Sequence, residues 1–325
     1  MLAFPSKISL STKKKETMRD INAPVNTPPD NPIEKRAASR DRWIILLLLV
    51  MVISVGCDSA DVDAPGGSIE GVVTSRGVQL RYIVNLPEGD GPFPTIVDAP
   101  GSGDVPANHP GLRRDARKFL EQGYAVVRYD KRGTGASGGE IVGVSLDNSL
   151  ETVPLLADDI SAVIDEILEL PEVDTDRVGL FGVSQASWVM PLVMANEPEL
   201  DFAVYQSAGA IPIGIHLIFE VLSIHQGLPF DEATRQFEEI VKDYDGPLGF
   251  DQRPLLEAEQ RPMLFLMGEK DQNGPYSANR DEILRLAGLG VDVTLVSYPE
   301  GQHALDDTDF WPDLWNWLSA KGFQP

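Results

Sequence analysis

The sequence predicts an α/β protein with a mostly parallel central sheet, helices on both of its faces and a helical lid inserted late in the chain. Three observations carry this reading. Apolar runs such as TIVDAP, YAVVRYD, VGLFGV, FAVYQSA, MLFLMG and VTLVSYP recur along the chain. They read as strands covered on both faces, because such strands are apolar throughout instead of alternating. Segments with apolar residues at helical spacing lie between several of them, the order that builds a parallel sheet. Residues 212–259 break the alternation and contain no good strand.

The chain opens with a leader. Residues 1–42 carry nine Lys or Arg against five Asp or Glu, are polar and rich in proline, and are expected to be disordered. The uncharged run WIILLLLVMVISVGC then ends at Cys57, the single cysteine, so no disulfide can form within one chain. Trp43 to Val55 is short for a membrane span, which needs about 20 residues, and suits the apolar region of a signal peptide. Lys35, Arg36, Arg40 and Arg42 precede it, as a positive-inside start requires. The order of basic segment, apolar run and Ser54-Val55-Gly56-Cys57 resembles a bacterial lipoprotein signal. That resemblance implies a lipidated Cys57 and an exported chain, anchored by its N-terminus to a membrane of the cell envelope. Ser54 stands where leucine is usual in such signals, and Met18 offers a later start. The other reading of residues 1–57 is a signal anchor that stays in the membrane.

Residues 58–67 read as an acidic, glycine-bearing linker, and residues 68–325 are expected to form one globular domain. Residues 58–325 hold 18 Lys or Arg against 45 Asp or Glu. So acidic a body argues against nucleic acid as a partner, because phosphate binding needs a basic surface.

Within the domain, IEGVVTS and VQLRYIVNLP flank an Arg-Gly turn and predict a hairpin. TIVDAP is a strand, residues 110–122 a helix and YAVVRYD a strand. Residues 151–170 predict a helix with Val153, Leu156, Ile160, Val163, Ile164 and Ile167 on one face. VGLFGV is a strand followed by a helix from Gln185. FAVYQSA precedes the lid at 212–259, where Ala233, Phe237, Ile240, Val241 and Tyr244 share a helical face. MLFLMG and VTLVSYP are strands, and DFWPDLWNWLSAKGF is a closing helix with Pro312 in its first turn. A lid over the carboxyl ends of the strands would cover the place where open α/β sheets bind ligands.

The chemistry centres on LFGVSQASW. Gly182-Val-Ser184-Gln-Ala186 lies between a strand and a helix, the setting of a nucleophile elbow. The turn is tight, so its flanking residues must be small. Gly182 meets this, and Ala186 adds one methyl where glycine is usual. A serine hydroxyl needs a base. Of the four histidines, His303 alone follows the last strand. His216 and His225 fall in the lid as structural or substrate-lining residues, and His109 lies in a loop before the first helix. A carboxylate must orient the imidazole. Asp271 stands just beyond the strand MLFLMG, with Glu269 as its competitor.

The order Ser184, Asp271, His303 matches the nucleophile–acid–histidine order of α/β-hydrolases. From about residue 68 onward the chain resembles that superfamily, in its serine esterase and prolyl-oligopeptidase-like branch. YDKRGTGASGG, residues 129–139, is similar to the branch's Asp-x-Arg-Gly-x-Gly-x-Ser loop. The resemblance implies that Asp130, Arg132 and Ser137 brace this loop. It also implies an oxyanion hole built from the N–H of Gln185 and a second N–H after TIVDAP, for which Ser102 is the candidate. Relatives show His-Gly where this chain has Pro100-Gly101.

The function so implied is hydrolysis of a carboxylic ester through an acyl-enzyme, with a small acyl ester or short peptide as substrate. A peptidase or thioesterase with the same residues is the alternative; an aminopeptidase would use acidic groups such as Glu220, Glu232 or Glu239 on the substrate's amine. A non-catalytic surface protein is a third reading, supported only by Ala186 and Pro100. No cofactor or metal is called for: there is no Cys/His cluster. Gly133-Thr-Gly135-Ala-Ser-Gly138 imitates a dinucleotide motif but lacks the helix that should follow.

Overall fold

The computed structural model describes residues 62–207 and 209–325. Cys57, the run before it and the leader lie outside the described residues. The first two strands, β1 (Ser68–Ser75) and β2 (Val78–Asn85), form a hairpin. Its turn residues Arg76 and Gly77 have φ of 44° and 78°, the pair of left-handed conformations that matches the twist of a two-residue hairpin.

The remaining strands are β3 (Phe93–Ala99), β4 (Ala125–Tyr129), β5 (Val173–Val183), β6 (Phe202–Gln206), β7 (Met263–Gly268) and β8 (Val293–Tyr298). They form one eight-stranded sheet in the order β1-β2-β4-β3-β5-β6-β7-β8. Only β2 runs against the others.

Both faces of the sheet are apolar, which explains the unbroken runs in the sequence. Val97, Val127, Leu180, Ala203 and Met263 share one face. They meet α2 (Ser149–Ile167), α3 (Ala186–Asn196) and α7 (Tyr276–Gly288). Ile96, Val126, Phe181, Val204 and Leu264 face the other way, onto α1 (Pro110–Glu121) and α8 (Trp311–Lys321). All six apolar residues expected on one face of α2 are buried. The helix α7 was not read from the sequence. Its buried residues Asn279, Ile283 and Leu286 have helical spacing, but Arg280, Asp281, Glu282 and Arg285 surround so narrow a stripe that the pattern is faint.

Between β6 and β7 the chain is helical: α4 (Ile213–Glu220) runs on into a wider turn at Val221–His225, followed by α5 (Phe230–Val241) and α6 (Arg253–Ala258). Phe219, Leu222, Ala233 and Phe237 give this segment a small core of its own. The predicted apolar face of α5 is shorter than expected. Ile240 is exposed, and Tyr244 lies past the end of the helix, because only Ala233 and Phe237 are buried against α4.

The loop after β4 is fixed to the rest by polar groups. Asp130 accepts the N–H groups of Ala107 at 2.7 Å and Ala136 at 2.8 Å. Ser137 donates its hydroxyl to the Asp130 carbonyl and accepts the Arg81 N–H. Gly135 has no room for a side chain, because a Cβ there would collide with the Asp130 carboxylate. Arg132 grips Asp159 of α2 with two hydrogen bonds, of 2.8 and 2.6 Å. Asp159 is fully buried and Arg132 nearly so. A buried charge left without its partner is far more costly than the pair itself is favourable. Arg132→Met is therefore expected to lower unfolding free energy by about 3–5 kcal/mol in urea denaturation. Pairing it with Asp159→Leu should recover most of that loss, and a double variant as unstable as the single would refute the account.

Candidate active site

Six strand ends deliver the site. Ser184 sits at the tip of β5 with φ of 58°, a left-handed conformation rarely held by a residue with a side chain and common at functional turns. Its N–H donates to the Gln206 carbonyl at 3.0 Å, and its own carbonyl accepts the Ser187 N–H at 2.9 Å as α3 begins. The turn is closed by contact between small residues. A Cβ on Gly182 would lie 2.7 Å from that of Ala186 and would also collide with the Met190 sulfur. Ala186 is tolerated because it is the first residue of a right-handed helix, where its methyl needs no left-handed backbone. The departure from glycine leaves the elbow intact.

Asp271 and His303 meet beyond β7 and β8. The Nδ1 of His303 lies 2.9 and 3.1 Å from the two Asp271 oxygens. An ionised carboxylate only accepts, so Nδ1 carries the proton and Nε2 is left as the basic nitrogen. Asp271 is almost buried, while His303 keeps 27% of its side chain exposed. The Asn273 N–H donates to Asp271 Oδ1 at 2.7 Å and fixes the carboxylate from below. Glu269 has a different neighbour, the Tyr276 hydroxyl. The two loops cross backbone to backbone. Lys270 N–H donates to the Gly301 carbonyl at 3.0 Å, and a Cβ on Gly301 would lie 3.0 Å from the Gly268 Cα. Only glycines permit this crossing, which sets the register between acid and histidine.

The end of β6 stitches the histidine loop to the elbow. Gln206 donates its side-chain N–H to the Ala304 carbonyl, and Ser207 accepts the Ala304 N–H at 2.9 Å. Ala304 and Leu305 have φ of 62° and 52°, and Ser207 has 50°. Strained backbone thus gathers around Ser184 and His303. Neither Gln206 nor Ser207 was singled out from the sequence. The only signal is their place, at the end of a buried strand.

A cavity of about 150 Å³ opens at Ser184. Its lining includes Ser102, Gln185, Trp188, Ser207, His216 and Glu220. Both candidates for the oxyanion hole therefore border the same space as the serine. Gly101 lies against the elbow, where an added Cβ would be 3.2 Å from the Val183 carbonyl and 3.9 Å from the Ser184 Cβ. Lys131 is buried behind them and donates to the Gly101 carbonyl and to the Gln185 side-chain oxygen, both at 2.8 Å. Burial lowers its ammonium to about 8, against the pull of Asp159, which raises it. The lid supplies His216 and Glu220 from one face of α4. Glu232 and Glu239 instead pair with Arg235 on α5. His225 is exposed, and His109 caps α1 by accepting the Gly111 N–H.

Similarity to known proteins agrees with this architecture. Residues 76–242, half of the chain, match the X-Pro dipeptidyl-peptidase (S15) family. The chain belongs to that family. An uncharacterized peptidase of Bacillus subtilis, YuxL, is 24% identical over 72% of the chain and 35% of its own length. The acylamino-acid-releasing enzyme of Rattus norvegicus is 21% identical over 59% of the chain and 26% of its own. The chain thus spans about a third or less of the length of these relatives. Among solved structures, an esterase of Pyrococcus furiosus aligns with a TM-score of 0.57 at 18% identity, over 78% of this chain and 90% of that one. Est1E of Butyrivibrio proteoclasticus, described with ferulic acid bound, aligns with a TM-score of 0.54 at 19% identity, over 78% and 97%. The acylaminoacyl peptidase of Pyrococcus horikoshii aligns with 0.58 at 14%, over 78% and 41%. The S15 chain therefore has the α/β-hydrolase fold of esterases and peptidases.

His216 makes the site sensitive to acid. It borders the cavity, half-buried and edge-on to Trp188, with ring centroids 5.0 Å apart. Burial lowers its imidazole from 6.5 to about 4, with Asp271 opposing and His303 adding to the fall. Between those values the unfolded chain binds a proton that the folded chain refuses, so stability falls as pH falls through this window. The contribution is about 3 kcal/mol. In urea titrations His216→Gln should flatten the acid side of the stability profile between pH 6.5 and 4; a variant as acid-sensitive as the parent would contradict this.

Proposed function

We propose that the protein is a serine hydrolase acting on small carboxylic esters, with Ser184 as nucleophile, His303 as base and Asp271 as its orienting acid. The observation that carries the reading is that one strand end, at Gln206 and Ser207, holds both the strained serine of the β5 turn and the loop of a histidine whose Nδ1 is held by Asp271. In the reaction, Ser184 Oγ bonds to the substrate carbonyl carbon while its proton passes to His303 Nε2. The carbonyl π electrons move to oxygen, where the N–H groups of Gln185 and Ser102 receive the negative charge. The C–O bond to the alcohol breaks as His303 returns the proton to the leaving oxygen. Water, deprotonated by the same nitrogen, then attacks the acyl carbon. The acid leaves, and the proton goes back to Ser184.

The size of the cavity supports a small substrate. At about 150 Å³ it is well below the roughly 300–1,000 Å³ of sites that enclose drug-sized ligands. An acyl group of a few carbons fits, and a long chain has no place among Ser102, Ser207 and Glu220. A peptidase is the second reading. It is favoured by the S15 family and by Glu220, the one of the three candidate lid glutamates that borders the cavity.

Two measurements test this. A fluorophosphonate probe should label Ser184, and Ser184→Ala should lower kcat by on the order of a million-fold; full ester turnover by that variant would sink the assignment. In a series of nitrophenyl esters, kcat/KM should fall at least about tenfold from short to medium acyl chains. Faster cleavage of aminoacyl amides than of any ester would move the reading to peptidase.

A further inference from the structure

We infer that Lys131 is a positioning residue for the oxyanion hole, its one ammonium tying together the two loops that carry the hole's N–H donors. The inference rests on the proposed hydrolase reading, since it assigns a role within that site. Lys131 lies in the loop after β4, between Asp130 and Arg132, which brace that loop. It is itself 1% exposed and touches neither substrate space nor Ser184. Its two hydrogen bonds run instead to the Gly101 carbonyl, the residue before Ser102, and to the side chain of Gln185, the residue after Ser184.

Both ends of this bridge are where a small displacement matters. The Gly101 carbonyl belongs to the peptide whose N–H is that of Ser102, so holding the oxygen from behind sets the direction of the N–H in front. That follows from peptide planarity: carbonyl and N–H of one peptide point opposite ways. Gln185 is held by its side chain, and its backbone N–H is the other candidate donor. Its position ahead of α3 is otherwise unsupported by a side-chain cap. An interior lysine is expensive to bury, and here the structure offers it two acceptors and no direct carboxylate. The nearby charge is Asp159, which Arg132 already holds. With an ammonium near 8, Lys131 stays charged at neutral pH, so its bonds are charge-assisted. Its positive charge also lies behind the place where negative charge develops.

The strand order explains how this residue comes to bridge both arms. β4, β3 and β5 are neighbours in the sheet. The loop after β4 therefore lies next to the loop after β3 and one place from the β5 turn, although Lys131 is 30 positions from Gly101 and 54 from Gln185.

The test uses the full chain and Lys131→Met, which keeps the length and removes the donors. Kinetics with a short acyl ester, inhibition by a matching trifluoromethyl ketone and thermal unfolding are measured together. The ketone forms a tetrahedral adduct with an oxyanion, so it reports on the hole, whereas KM does not. Lys131→Met should lower kcat by about 100-fold, within the loss seen when an oxyanion donor is removed, with KM within about twofold. The ketone should weaken by a similar factor to kcat. A folded variant with unchanged kcat and unchanged ketone affinity overturns the inference, as does a loss confined to KM. If Lys131→Met does not fold, Gln185→Met breaks one of the two bonds and leaves the lysine in place. It should lower kcat and ketone affinity together by about tenfold, and no loss of either overturns the inference. Failure of the parent protein to react with a fluorophosphonate at all would instead defeat the hydrolase reading, and is scored separately.

Discussion

The backbone of Ser184 is held in a conformation that its own side chain disfavours, and the site is arranged around that fact. A φ of 58° projects the serine from the strand-to-helix turn. It can persist only because β5 and α3 approach so closely that Gly182 must be glycine and residue 186 must be small. The buried face of α3, from Ala186 to Met194, packs against the sheet and keeps the helix there. The apolar core thus stabilises the turn, and the turn presents the hydroxyl. Strain of this kind costs on the order of 1–3 kcal/mol per residue and survives where the surroundings over-determine it.

The other strained residues extend the same logic. Ser207, Ala304 and Leu305 all hold positive φ, and hydrogen bonds from Gln206 and Ser207 fix Ala304. Those bonds carry the histidine loop, and the Gln206 carbonyl also receives the Ser184 N–H. One strand end therefore holds both the serine and the histidine loop. Across the sheet, Gly268 and Gly301 allow the acid and histidine loops to cross in contact. Trp188 of α3 and His216 and Glu220 of α4 border the same cavity as Ser184, and His216 also packs against Gly274 of the acid loop.

Much of this architecture is legible in the chain. Long apolar runs identify the strands, because nearly every β3, β4, β6 and β7 residue is buried. The strand–turn–helix setting singled out Ser184, and chain order singled out Asp271 and His303. What could not be read depends on pairing between distant segments. Lys131 looked like the variable residue of a bracing loop, since nothing near it in sequence shows that β3 and β5 deliver Gly101 and Gln185 to its amine. His216 could be placed in the lid but not against Trp188, and α7 was hidden by the charges around its narrow apolar stripe. The overlong face assigned to α5 has a similar cause: Ala233 and Phe237 are buried with Phe219 and Leu222 and Val241 packs partly against them, while Ile240 is exposed, and periodicity alone cannot show that.

The central claim is that Ser184 becomes covalently acylated during turnover. The direct measurement is rapid acid quench of the protein with a short-chain nitrophenyl ester, followed by peptide mass spectrometry and by nitrophenol counted in the first turnover. The account predicts one acyl group per chain on the peptide bearing Ser184, with a nitrophenol burst that does not exceed the enzyme concentration. Ester turnover with the acyl group on another residue, or hydrolysis unaffected by replacing Ser184, would contradict it.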